Sequence, residues 1–119
     1  MLSKSHRINT KQEFDLIFKR GRKFTGKYFL IYVLTNPPAP IVSQNLPKFG
    51  IIASKKVGSA VVRNHAKRIM REVVMADMKR FKKDFAAVIV TFGSLAEVDL
   101  NTVQPEAEKI FQQAQLFQE

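Results

Sequence analysis

The chain has 119 residues, no cysteine, and 20 Lys and Arg against 10 Asp and Glu, for a formal charge of +10. A hydrophobic content of 45% with ten Phe excludes an unfolded polycation, and the lack of thiols excludes disulfides and thiolate metal sites and suits a reducing cytoplasm. No stretch reaches the roughly 20 apolar residues that cross a bilayer, and the N-terminal "MLSKSHRINTKQEF" has no apolar run of the secretory kind.

The length predicts one domain over residues 1–119 with a core close to the small end of the range. Charge is unevenly placed along it. Residues 1–92 hold 19 Lys and Arg with 5 Asp and Glu, a net +14; residues 93–119 hold 1 and 5, a net −4. The body of the domain therefore seeks a polyanion, and the C-terminal segment does not share that surface.

In chain order, "RINTKQEFDLIFKRGRKF" predicts a short helix capped by Asn9 or Thr10 and ended by Gly21. Phe14, Ile17 and Phe18 fall on one face of it. "KYFLIYVLTN" (27–36) has strand composition with both faces apolar, which predicts an interior strand. "NPPAPIVSQNLP" breaks regular structure and predicts an exposed loop. "KFGIIASKKV" (48–57) predicts a second strand, and "KDFAAVIVTF" (83–92) a third, again interior. "NTVQPEAEKIFQQAQLFQE" predicts a closing amphipathic helix with Val103, Ala107, Ile110, Ala114 and Phe117 inward. The order helix, strands, long helix, strand, helix is that of a small α+β sandwich.

Between the second and third predicted strands runs "GSAVVRNHAKRIMREVVMADMKRF", with Ser59 as the expected N-cap. On a wheel with Arg63 at zero, Val62, Ala66, Ile69, Val73 and Ala76 fall between about 220° and 300°, the expected core stripe. Arg63, Asn64, Lys67, Arg68 and Arg71 fall between about 0° and 140°. A charged helix face is ordinarily a solvated one, with signs alternating at i,i+4. Here Arg63, Lys67 and Arg71 repeat one sign at that spacing, which costs roughly 0.2–0.5 kcal/mol per pair unless an anion lies across them. Lys55 and Lys56, expected at the end of a strand, add cations from a second element. This pattern reads as a phosphate-binding face.

"SKKVGSAVVRNHAKRIMRE" resembles the signature region of the bacterial ribonuclease P protein subunit, in which an Arg-Asn-Arg core sits inside a basic helix. The likeness extends upstream through "RINTKQEFDLIFKRGRKF", "YFLIYVL" and "FGIIASKKV", and on to the late strand after Asp84. His65 stands where the family core has its second Arg, and imidazole carries a pH-dependent charge where guanidinium carries a permanent one. The resemblance implies a mixed sheet with a left-handed βαβ crossover through the basic helix, against the usual hand; nothing in the residues themselves leads there. It also implies that the protein breaks no bond. The catalyst is a partner RNA that uses Mg²⁺ to cleave precursor tRNA at the 5′ end of the mature sequence. The protein is expected to bind the catalytic RNA through Lys55, Lys56, Arg63, Asn64, His65, Lys67, Arg68 and Arg71.

Single-stranded nucleic acid is held by aromatic platforms beside cationic grooves, at roughly 1–3 kcal/mol per stacked base. Phe14, Phe18 and Tyr32 would ordinarily be taken as core aromatics. The resemblance assigns them instead to a cleft for the 5′ leader, and leaves Phe29, Phe49 and Phe85 in the core. His6, Arg7 and Lys11 are further candidates for phosphate contacts. A protein-only nuclease would need clustered carboxylates or a His/Lys acid–base pair. Glu13, Asp15, Glu72, Asp77 and Asp84 are scattered, and neither His6 nor His65 has an evident carboxylate partner. The expectation is thus no catalytic residue, no metal site, no cofactor on the protein, no small-molecule substrate and no membrane. A non-catalytic ribosomal or RNA-chaperone-like protein is the alternative with the same composition.

Overall fold

Thr10 fixes the start of the first helix through a reciprocal pair of hydrogen bonds. Its Oγ1 accepts the Glu13 N–H at 3.2 Å, and Glu13 Oε1 accepts the Thr10 N–H at 3.2 Å. The helix, α1 (Lys11–Arg20), ends at Gly21 as the sequence predicts. The computed structural model describes residues 6–8, 10–35 and 47–118; the alternative cap Asn9 and nearly all of the proline-containing loop lie outside them.

Four strands, β1 (Arg22–Thr25), β2 (Phe29–Thr35), β3 (Lys48–Ile52) and β4 (Phe85–Thr91), form one mixed sheet in the order β1-β2-β4-β3. The interior pair, β2 and β4, are the strands whose two faces are both apolar. Phe85 to Ile89 are each at most 2% exposed, so β4 is covered from both sides. β4 runs antiparallel to β2 and parallel to β3. The β3–β4 connection passes through the basic helix α2 (Ala60–Ala76), capped by Ser59, and is the crossover to which the resemblance assigns its unusual hand.

The sheet is the middle layer. On one face, Phe29, Ile31, Val33, Phe49 and Ile89 pack with residues of α2 and of α3 (Leu100–Gln113). Phe81 lies at the centre of this core, 5.1–5.7 Å from the rings of Phe49, Phe111, Phe117 and Phe85. On the other face, Ile17 of α1 seals against Ala86 and Val88.

Three expectations need correction. β1 was not expected: it has one apolar residue, Phe24, and its strand character comes from pairing with Leu30–Val33. The strand expected over 48–57 stops at Ile52. A 3-10 turn (Lys55–Val57) follows, with the Val57 N–H on the Ser54 carbonyl at 3.0 Å, and Gly58 at φ 148° redirects the chain into α2. Lys55 and Lys56 are therefore exposed on a turn, not at a strand end. Finally, Ala114 and Phe117 lie beyond α3. The Leu116 N–H returns to the Phe111 carbonyl and the Gln115 N–H to that of Gln112, a Schellman ending. Gln115 takes the left-handed conformation at φ 59°, at a cost of about 1–2 kcal/mol where glycine would be free.

α2 is tied to α3 by a polar cluster. Asp77, 3% exposed, accepts from Arg80 at 3.2 Å and from the Gln104 amide at 3.1 Å, with Glu108 on the same Gln and Arg. Burial, then the charge of Glu108, raises the Asp77 pKa above its ordinary 3.8, with Arg80 opposing. The folded protein thus takes up this proton at higher pH than the unfolded chain does, so the contribution to stability grows as pH falls through the raised value. Melting temperatures measured between pH 7 and 4 should show wild type gaining on Asp77→Asn as pH drops. Parallel curves would contradict this reading.

Candidate nucleic-acid interface

Sheet register builds a strip of residues under α1. Lys23, Tyr32, Val88 and Gly50 lie side by side across the four strands, and Thr25, Leu30, Val90 and Ile52 form the next row. α1 crosses the first row. Phe14 lies on Gly50 of β3, where any Cβ would collide with its ring. One helical turn later Phe18 meets Tyr32 of β2 in a T-shaped pair, centroids 4.9 Å apart and planes at 86°. Phe18 is 37% exposed, whereas Phe29, Phe49 and Phe85 are at most 2% exposed. The three aromatics assigned to a cleft are thus separated by exposure from the three assigned to the core; Phe14 and Tyr32 are half-buried.

The second row is where α1 leaves the sheet partly open. Leu30, Val90 and Ile52 are half-buried there, with Lys23 exposed beside Tyr32. Sequence reading did not mark Leu30, Val90 and Ile52, because an apolar strand face signals burial and nothing local says that a ten-residue helix covers only part of it; Lys23 escaped because β1 itself was not expected. β3 ends in this row at Ile52, and the chain reaches Lys55 and Lys56 three and four residues later.

α2 carries the other cations. Its buried arc is wider than the wheel implies, because Met70 and Val74 are fully buried along with Ala66, Ile69 and Val73. The helix meets α3 as well as the sheet, so its apolar side turns toward Arg63. Val62, in the first turn of the helix, is only half-buried, and Ala76, at the opposite margin of the arc, is exposed. Arg63, Lys67 and Arg71 are consequently half-buried at the edge of the arc, while Asn64 and Arg68 are exposed. The Arg63 Nε is buried without a hydrogen-bond partner. His65 is half-buried, and its Nδ1 lies 3.3 Å from an Arg68 guanidinium nitrogen. Arg68 donates, so Nδ1 accepts, a contact only the neutral ring makes. Among the described residues, none of Lys55, Lys56, Arg63, Lys67, Arg68 and Arg71 is ion-paired.

A cleft of about 240 Å³ joins the two regions, lined by Phe14 of α1, Phe49, Gly50 and Ile51 of β3, Arg71 of α2, and Arg7 and Ile8. The N-terminal segment walls it along the edge of β3, with the Ile8 N–H on the Phe49 carbonyl at 3.0 Å. His6 Nδ1 donates to the Pro47 carbonyl at 2.8 Å, so that nitrogen is engaged in holding the segment; Lys11 is exposed at the start of α1. Among the described residues, no group of three or more His, Cys, Asp or Glu is placed to hold a metal, and no helix is long and apolar enough to cross a membrane.

The arrangement offers stacking surfaces beside unneutralised cations, on a fold that recurs in known proteins. The family model described as Ribonuclease P matches residues 2–115. The ribonuclease P protein component of Syntrophomonas wolfei is 30% identical over 117 residues, covering 98% of this chain and 93% of its own. The RNase P protein from Thermotoga maritima superposes with a TM-score of 0.76 at 26% identity, over 90% of this chain and 96% of that one. The Staphylococcus aureus RNase P protein has the same fold, with a TM-score of 0.82 at 24% identity over 97% and 100%. A match that runs through every helix and strand described above leaves one assignment: the chain belongs to the ribonuclease P protein family.

Proposed function

We propose that the chain works as a non-catalytic partner of a catalytic RNA, binding that RNA through the basic helix and holding the 5′ leader of precursor tRNA in the aromatic cleft. As a ribonuclease P protein component it belongs to an enzyme complex with an RNA partner, and the ribosomal or chaperone-like alternative falls away. The observation that carries the finer reading is the cation row of α2 and its preceding turn, six Lys and Arg with no ion pair among the described residues. Like charges held together in the folded protein are stabilised when phosphates lie across them, with release of the RNA's counterions. Phe14, Phe18 and Tyr32 give bases a surface to stack on, and Lys23 and Arg71 stand at its sides. The Mg²⁺ that hydrolysis needs is held by the RNA in this reading, and the site of action is the cytoplasm.

The test compares substrates with and without a leader. Adding the protein to its catalytic RNA should tighten precursor tRNA more than mature tRNA. Equal tightening of both would contradict a leader cleft.

A further inference from the structure

The end of the sheet that faces away from Lys55 and Lys56 carries a second concavity, of about 370 Å³. Arg22 opens β1, Thr35 closes β2, and residues 82–84 lead into β4. Antiparallel register brings the three together, because Thr35 pairs with Phe85 and Arg22 with Val33. The floor is apolar: Phe85, Ala114 and Leu116 are each at most 2% exposed. Three exposed cations, Arg22, Lys82 and Lys83, stand around it with the Gln115 amide and a single carboxylate, Asp84. None of the three cations is ion-paired among the described residues.

The walls are fixed. The Lys82 N–H donates to the Leu116 carbonyl at 2.7 Å, the Gln118 N–H to that of Arg80 at 2.7 Å, and the Gln118 side chain to that of Phe81 at 2.7 Å. These bonds pin the rim to the C-terminal segment before any ligand arrives, so little ordering remains to be done on binding. A concave mouth with an apolar floor and an excess of one charge concentrates potential of that sign. Guanidinium and ammonium groups around such a mouth suit a phosphate. Arg22 lies over the Phe24 ring, 5.3 Å from its centroid. Phe24 packs with the α2–α3 core, so this mouth lies across the sheet from Phe18 and Tyr32.

We infer that the Arg22–Lys82–Lys83 concavity is a second phosphate site, taking a backbone phosphate of RNA at a place separate from both the basic helix and the aromatic cleft. This rests on the reading of the chain as RNA-binding. The phosphate belongs either to the catalytic RNA or to the precursor tRNA, and two titrations separate them.

Lys82→Ala/Lys83→Ala should leave the melting temperature unchanged, since Lys82 holds the rim through its backbone. In a salt series against catalytic RNA alone, the slope of log affinity against log salt should become shallower by about 1 for each lost contact. A loss confined to precursor-tRNA binding by the assembled complex assigns the phosphate to the tRNA instead; either result supports the site. Lys109→Ala serves as the control for bulk charge, because Lys109 already faces Glu106 at 3.7 Å. Per charge removed, an effect no larger than that of Lys109→Ala overturns the site. So does an unchanged affinity and slope in both titrations while Arg63→Ala loses its contact. If Arg63→Ala is silent as well, the RNA-binding reading falls together with the site.

Discussion

Phe18→Ala should weaken precursor-tRNA binding by the assembled complex by roughly 1–3 kcal/mol, the value of one stacked base, and leave mature tRNA nearly untouched. Its effect on folding should be much smaller than that of a core truncation. At 37% exposure, Phe18 contributes chiefly its edge contact with Tyr32, and aromatic pairs are worth about 0.5–1.5 kcal/mol. A fully buried Phe would cost about 3–5 kcal/mol on the same change. Denaturant melts beside binding to the two tRNAs separate the cases. A core-sized stability loss with equal effects on both tRNAs would return Phe18 to the core and take the cleft's best-exposed platform with it.

Arg63→Ala should cost RNA affinity without costing stability. Its Nε–H is buried and unpartnered, and a buried donor in that state costs about 1–3 kcal/mol, which the substitution relieves. A hydrogen bond from that charged group to a phosphate is worth about 1.5–3 kcal/mol, so affinity for the catalytic RNA should fall roughly tenfold or more. The salt slope should become shallower by about 1. Arg80 gives the contrast, since its guanidinium is already engaged by Asp77 at 3.2 Å, Glu108 at 3.5 Å and the Phe117 ring at 4.1 Å. Arg80→Ala should therefore lower the melting temperature and leave RNA binding alone. Equal RNA losses from both variants would mean that net charge, and not the placement of Arg63, governs binding.

The parts of this structure written in local chemistry were legible. Thr10, one of the two candidate caps, starts α1, Ser59 caps α2 as expected, Gly21 ends α1, and the doubly apolar segments around Ile31 and Val88 are the interior strands. What stayed hidden depends on neighbours distant in sequence. The residues "RKFT" become β1 because β2 offers them a free edge, and a single Phe24 gives no alternation to detect. Met70 and Val74 sit at about 340° and 20° on the α2 wheel, beside Arg63. They are buried because the helix has two covering partners, which no helical periodicity encodes.

The site divides in the same way. Exposure of Phe18 against burial of Phe29 could not be read from residue type, since both are Phe in apolar surroundings; only the family resemblance distinguished them. Leu30, Ile52 and Val90 went unrecognised because the gap beside α1 is a property of how a short helix crosses a wider sheet. The concavity at Lys82 and Lys83 needed the C-terminal segment to fold back over residues 80–82.

The central claim is that this protein supplies positive charge and a leader surface to an RNA that does the chemistry. Cleavage of precursor tRNA, measured across a Mg²⁺ series with RNA-free protein, with catalytic RNA, and with both, tests it most directly. A +10 protein offsets the phosphate repulsion that otherwise falls to divalent ions. The protein should therefore stimulate the RNA most where Mg²⁺ is limiting, and should cleave nothing by itself. Cleavage by the RNA-free protein, or stimulation that does not grow as Mg²⁺ falls, would contradict the account.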